Sequence, residues 1–280
     1  HERLGPTRPN TMSICVHTAG PRPHAPWKGR NALMTKYAII SDIHGNLHAL
    51  LAVLADIDAQ RVDEIICLGD VVGYGAAPRQ CLDLVASYAG VCVIGNHEEA
   101  VLNPSLADQM NEAARRAIRW TRTQLDPVHL DQLHQMPTAR HPHERFMCIH
   151  DCPIAIPTEY VHDQYAAAMA FRGVETQVCL VGHTHVPMIF EAPGLEPDER
   201  LTPIDITAYL GSDGAAIDLH DGFRYICNPG AVGQPRDGDP RAAYAILDLH
   251  RHPFTVRRVV YDILAAQTAV AEAGLPAALA

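Results

Sequence analysis

From residue 37 onward, short apolar runs alternate with stretches whose apolar residues recur at helical spacing. "YAIIS" (37–41) is followed by "NLHALLAVLADIDAQ", in which Leu47, Leu50, Leu51, Leu54 and Ile57 fall on one helical face. The strand-like "EIICLG" (64–69) leads through a glycine-rich turn into "PRQCLDLVASYA", where Pro78 suits a first helical turn. "VCVIG" (91–95), a long helical region from about Leu106 to Met136, "RFMCIH" (145–150), a further helical piece and "QVCLVG" (177–182) continue the alternation. Strands so uniformly apolar, separated by helices, predict a mostly parallel sheet covered by helices.

The last third has a different rhythm. "VPMIFEA", "FRYICNPG", "RAAYAILDL" and "FTVRRVVYD" read as strands divided by Gly, Pro and Asp turns, ahead of an Ala-rich C-terminal helix. They predict a second, largely antiparallel sheet packed on the first, in an α/β fold. Residues 1–33 stand apart, with five Pro, five basic residues, one acid and no hydrophobic period. They are expected to be a disordered extension, leaving 34–280 as one domain. Met34 directly precedes the first strand-like run and stands as a candidate start.

Charge and cysteine usage narrow the setting. The formal net charge is -10, and no block of Lys and Arg resembles a nucleic-acid footprint. Stable nucleic-acid binding is therefore not expected, and an anionic substrate would need positive charge from elsewhere, such as a bound metal. The eight cysteines form no C-x-x-C pair, and several lie in apolar runs. Free thiols in a reduced, cytoplasmic protein are expected. No stretch approaches the roughly 18 apolar residues of a membrane span, and no secretory h-region is present.

Candidate chemistry sits where the apolar runs stop. The first ends in Asp42 and His44, the second in Asp70, the third in Asn96 and His97, "RFMCI" in His150, and "QVCLVG" in His183 and His185. Functional groups collect beyond the carboxyl ends of strands in open α/β sheets. Residues i and i+2 of an extended segment share a side, so Asp42 with His44, and His183 with His185, are expected to serve one region. Mixed oxygen and imidazole donors suit Mn, Fe, Zn or Ni. Seven donors are too many for one tetrahedral ion and suit two. Taken singly, each has a plainer role: Asn46 a helix cap, Asp70 a turn residue, "GNHE" a turn into a helix, His150 a satisfied core histidine.

Together, Asp42-x-His44, Gly69-Asp70-x-x-Gly73, Gly95-Asn96-His97-Glu98, His150 and Gly182-His183-Thr184-His185 resemble the signature of the calcineurin-like metallophosphoesterases. The resemblance spans roughly Lys36 to Asp262, and "NPGAVGQPRDGDPRAAYAILDL" looks like a bacterial subgroup of phosphodiesterases and diadenosine tetraphosphatase relatives. It implies a four-layer α/β/β/α sandwich of two mixed sheets flanked by helices, with a dinuclear centre between the sheets. It also implies that Asp42, His44 and His185 hold one metal, that Asn96, His150 and His183 hold the other, and that Asp70 bridges them. His97 would be a non-ligand catalytic histidine near the leaving-group oxygen. The implied reaction is attack of a hydroxide shared by two divalent ions, with Mn expected to serve in vitro, on a phosphodiester, phosphomonoester or dinucleoside polyphosphate. A small, nucleotide-like phosphorylated substrate is expected, and no membrane partner.

Two departures from the family pattern qualify the expectation. "IHDCP" places Asp151 where relatives commonly have glycine, so Asp151 either orients His150 from behind or caps the turn. "GDVVGYG" lacks the arginine of eukaryotic protein phosphatases, which weakens the alternative of a protein serine/threonine phosphatase of the same superfamily. Arg236 is either a phosphate contact or a surface turn residue, and Tyr74 either a pocket wall or a packing residue. Arg115, Arg116, Arg119 and Arg122 read as a solvated helix face or part of a cap over the site. A metal-dependent amidohydrolase is rejected by motif order, because its His-x-His pair comes early. A non-catalytic scaffold of the same fold would be expected to have lost ligands.

Overall fold

The computed structural model describes residues 36–154, 160–194 and 207–280. The expected extension at 1–33 lies outside them. The first apolar run forms β1 (Lys36–Ile40), and the helical segment after it α1 (Leu47–Gln60), whose N-cap is Asn46: its Oδ1 accepts from Ala49 N–H at 3.1 Å. Next come β2 (Glu64–Cys67), α2 (Pro78–Tyr88) and β3 (Ala89–Cys92). The expected long helical region is broken into α3 (Asn96–Leu102), α4 (Pro104–Ala107), α5 (Glu112–Gln124) and α6 (Pro127–Gln135). Pro104 and Pro127 each open a helix, because proline lacks the N–H that a helix interior needs.

The remaining strands are β4 (Ala139–His143), β5 (Phe146–Ile149), β6 (Val178–Leu180), β7 (Met188–Pro193), β8 (Thr207–Leu210), β9 (Ala216–Asp218), β10 (Phe223–Asn228), β11 (Ala242–Asp248) and β12 (Pro253–Val259). α7 (Gln164–Ala170) precedes β6 and α8 (Ile263–Glu272) follows β12. Two six-stranded sheets result, in the orders β3-β2-β1-β11-β12-β9 and β4-β5-β6-β10-β7-β8. Both are mixed. β1, β2 and β3 run parallel, while β11 pairs antiparallel with β1, Lys36 opposite Asp248. In the second sheet β5, β6 and β10 are parallel, and β7 and β8 are added antiparallel. The division into a parallel N-terminal sheet and an antiparallel C-terminal one is thus corrected: β5 and β6 leave the first sheet, and β11 and β12 join it. Apolar runs report burial on both faces and say nothing about which sheet buries them.

Alternation along β1 shows the layering. Ala38 and Ile40 pack with Leu50, Val53 and Ile57 of α1, while Tyr37 and Ile39 face Phe146, Leu180 and Tyr225 of the second sheet. On that sheet's outer face, Cys179, Phe190 and Ile226 meet Ala166, Ala167 and Ala170 of α7. The order is helix, sheet, sheet, helix, as the resemblance implied. All seven described cysteines are free thiols. Among the described residues no helix is long and apolar enough to cross a membrane.

Candidate metal centre

The parallel strands of both sheets end at one place. Beyond β1 stand Asp42 and His44, beyond β2 Asp70, beyond β3 Asn96 and His97, beyond β5 His150, and beyond β6 His183 and His185. Their donor atoms form two groups, one of Asp42, His44, Asp70 and His185 and one of Asp70, His150 and His183, each with its atoms within 4.8 Å of one another. Asp70 belongs to both. His44 Nε2 is 3.0 Å from His185 Nε2 and 3.6 Å from Asp70 Oδ2, and His185 Nε2 is 3.4 Å from Asp42 Oδ1. On the other side, His150 Nε2 is 3.3 Å from Asp70 Oδ2.

The local backbone is not extended. Asp42, His44, Asp70, His183 and His185 have φ of 54°, 50°, 51°, 68° and 61°, the left-handed region that residues other than glycine rarely enter. Tight turns, not the alternation of an extended chain, bring Asp42 and His44 into one donor group and send His185 to that group and His183 to the adjoining one. Such strain costs about 1–3 kcal/mol per residue and persists only where surrounding contacts enforce it. Those contacts are visible: Asp42 N donates to Gly69 O, His44 N to Asp70 O and Gly45 N to Val71 O, at 3.1, 2.9 and 2.8 Å.

Glu98 does the same for the next pair of loops. It is fully buried, and its carboxylate accepts from Asp70 N, Gly95 N and Val72 N at 2.8, 2.9 and 2.9 Å. Burial and the nearby Asp70 carboxylate push Glu98 up to about 8, against those donors, which favour the anion. The sequence contained it within "GNHE" but assigned it no role; its place three residues after Gly95, the cap of α3, was the available signal.

The donors fit divalent cations. His44, His150 and His185 donate Nδ1–H to the carbonyls of Val72, Leu68 and Gln234, at 3.1, 2.7 and 2.6 Å, which turns each Nε2 toward the cluster. At His150 burial is outweighed by Asp70, Asp42 and Asp151, which raise it well above the usual imidazole range, so a cation there would displace a proton. Burial holds His183 and His185 down at about 3, hence neutral as ligands must be. It pushes Asp42 up to about 7, a penalty that a neighbouring cation would reverse. For Asp70 burial is outweighed by His150, His97 and His44, which keep it well below the usual carboxylate range. Asn96 Oδ1 and His150 Nε2 are buried without a hydrogen-bond partner, a condition that folded proteins rarely leave unmet.

His97 stands beside these donors. Its backbone N–H donates to Asp70 Oδ1 at 2.9 Å, and its ring packs 4.6 Å from His44 and 4.5 Å from Tyr74, centroid to centroid. Its Nδ1 is buried without a partner, and burial lowers its pKa. Only glycine fits at position 73, where a Cβ would overlap this nitrogen. An open cavity of about 610 Å³ reaches Asp70, Asn96, His97, His183 and His185, with Tyr74 and Arg236 on its wall.

Position bears on two open alternatives. Asp151 neither orients His150 from behind nor is needed there, since the Leu68 carbonyl holds that nitrogen. Its Oδ1 lies 3.8 Å from His150 Nε2 and 3.5 Å from His183 Nδ1, on the side where the donors converge. The arginines of α5 are a peripheral face: Arg119 pairs with Asp108 at 3.1 Å and Arg122 donates to Val101 O. Yet the start of α5, at Asn111 and Ala114, does wall the cavity together with Leu106.

Comparison with known proteins agrees with this architecture. The calcineurin-like phosphoesterase superfamily domain matches residues 35–252. An uncharacterized protein of Methanocaldococcus jannaschii, MJ0912, is 33% identical over 243 residues, covering 85% of this chain and 93% of its own. The crystal structure of a metallophosphoesterase from Sphaerobacter thermophilus superposes with a TM-score of 0.75 at 43% identity, covering 88% of this chain and 96% of that one. Hypothetical protein PH1004 of Pyrococcus horikoshii OT3 shares the fold at 16% identity, with a TM-score of 0.68 and coverage of 88% and 96%. With a domain match over most of its length and a 43% identical metallophosphoesterase of the same architecture, the chain belongs to the calcineurin-like phosphoesterase superfamily.

Proposed function

We propose that the protein hydrolyses phosphate esters of small, nucleotide-like molecules with two divalent cations. The observation that carries this reading is the single carboxylate, Asp70, that faces both donor groups. Asp42, His44, Asp70 and His185 would hold one ion, and Asp70, Asn96, His150 and His183 the other, with Mn, Fe, Zn or Ni suited to such donors. Bound there, the pair polarises a phosphoryl group and makes water a better nucleophile near neutral pH. The chain's own residues do the rest. The carbonyl-anchored imidazoles keep their lone pairs aimed, and Glu98 keeps the Asp70 and Asn96 loops in register. Burial lowers the pKa of the His97 imidazole; an incoming phosphate anion favours its protonated form, which would donate that proton to the departing oxygen.

The test is metal analysis of the purified protein together with hydrolysis of bis-p-nitrophenyl phosphate in added Mn. A metal-free, inert protein would overturn the reading. Assaying nucleotides, dinucleoside polyphosphates and phosphopeptides on the same preparation then ranks the substrates. His97→Asn is expected to lower kcat by about 10²–10⁴-fold while both ions stay bound; loss of an ion would make His97 a ligand instead. Asp151→Asn is expected to weaken Mn binding at the His150–His183 side by about tenfold, read by titration calorimetry, and to leave the Asp42 side unchanged. Equal weakening of both sides would contradict its placement.

A further inference from the structure

The β10–β11 loop, 229–241, brings one arginine to the cavity. Among the described residues lining that cavity, Arg236 is the one Lys or Arg, in the company of Asp70, Glu99 and Asp151. We propose that Arg236 binds the phosphoryl oxygens of the substrate, and that the pairing of Asp237 with the buried Arg258 holds it in position. The substrate's identity rests on the phosphoesterase reading above; the anion contact itself does not.

The loop is fastened on both sides of Arg236. Toward the site, Val232 N donates to Ser41 O and Gly233 N to Asp42 O, both at 2.9 Å, and Arg236 N donates to His185 O at 3.3 Å. A Cβ at Gly233 would overlap the Ile43 carbonyl, so only glycine lets the loop lie this close. Away from the site, Asp237 pairs with Arg258 of β12, whose side chain is 2% exposed. Arg258 N donates to Asp213 at 3.1 Å, and Arg241 joins Asp213 to Asp239 at 2.9 and 2.7 Å. Burying an ion pair contributes little net stability, and its best attested use is to fix an arrangement. What this pair fixes is the residue next to Asp237.

The arginine's surroundings suit an anion. Its guanidinium carbon lies 6.0 Å from the Tyr74 ring centroid, and Nη2 donates to Gln234 Oε1 at 2.8 Å. A guanidinium has five N–H donors in a planar fork, so donors remain for two phosphate oxygens. In a protein of net charge -10, a permanent cation at the cavity wall offsets the carboxylates that an incoming phosphate must pass.

Two measurements on the metal-loaded protein test this: calorimetric binding of inorganic phosphate, and KM and kcat for bis-p-nitrophenyl phosphate. Arg236→Ala is expected to weaken phosphate binding and raise KM by about 10–100-fold, with metal content unchanged and kcat altered much less, since the lost contact is one of binding. Arg236→Lys should fall between. Arg258→Met is expected to move both quantities about tenfold in the wild-type background and to have no further effect in Arg236→Ala, because its influence passes through Arg236. Asp237→Asn should repeat that pattern, and serves if Arg258→Met does not fold. Unchanged phosphate binding in Arg236→Ala overturns the contact; equal effects of Arg258→Met in both backgrounds overturn the positioning role. If no ester is turned over, phosphate calorimetry still decides the arginine's part, so the two readings fail separately.

Discussion

Asp70→Asn is expected to abolish stable binding of the cation pair and to lower kcat/KM by on the order of 10³-fold, the equivalent of about 3–5 kcal/mol for truncating one side of a buried charged contact. The substitution is nearly isosteric, so the backbone bond from His97 N to Oδ1 can persist. What disappears is the one negative charge within 3.6 Å of both His44 and His150. Each donor group would then keep its imidazoles and lose the carboxylate it shares with the other. Elemental analysis after gel filtration reads the metal content directly. Retention of two ions per chain by the variant would remove the basis for a bridged centre.

The second large effect is expected in stability. Glu98→Ala strands three backbone N–H groups, those of Asp70, Val72 and Gly95, in a site from which solvent is excluded. At about 1–3 kcal/mol for each unsatisfied donor, the loss is roughly 3–9 kcal/mol, much of the stability of a typical domain. Glu98→Gln keeps an acceptor oxygen and is expected to lose less, yet to bind metal more weakly because the Asp70 and Asn96 loops are no longer pinned together. Denaturant unfolding of the metal-free proteins measures the difference. A loss below about 1 kcal/mol for Glu98→Ala would mean that water or a rearranged loop satisfies those donors.

Much of this was legible in the sequence, for identifiable reasons. Helices were readable where apolar spacing and a cap coincided, as at Asn46 and Leu47–Gln60. The donors were readable because each follows an apolar run, and all of them stand at strand ends. Sheet membership was not readable, since β5 and β6 are apolar on both faces whichever sheet receives them. The aim of the donors was inferred for a reason the structure replaces: Asp42 and His44 meet through left-handed turns, a conformation no periodicity encodes. Glu98 was passed over because a glutamate at the start of a helix ordinarily faces water. Asp151 stayed open between orienting His150 and capping the turn, because the carbonyl that occupies the back of His150 comes from Leu68, 82 residues away.

The pairing of β1 with β11 has a consequence for biosynthesis. Lys36 meets Asp248 across that ladder, so the edge of β1 that β11 covers stays bare while more than two hundred residues are being translated. Until the hairpin of β11 and β12 emerges, the ribosome-bound chain presents an unfinished layer, open to stray strand pairing and to the chaperones that guard against it. The turn bearing Asp42 and His44 hangs from that same strand, so the layer that carries this turn is completed only after β11 has been made.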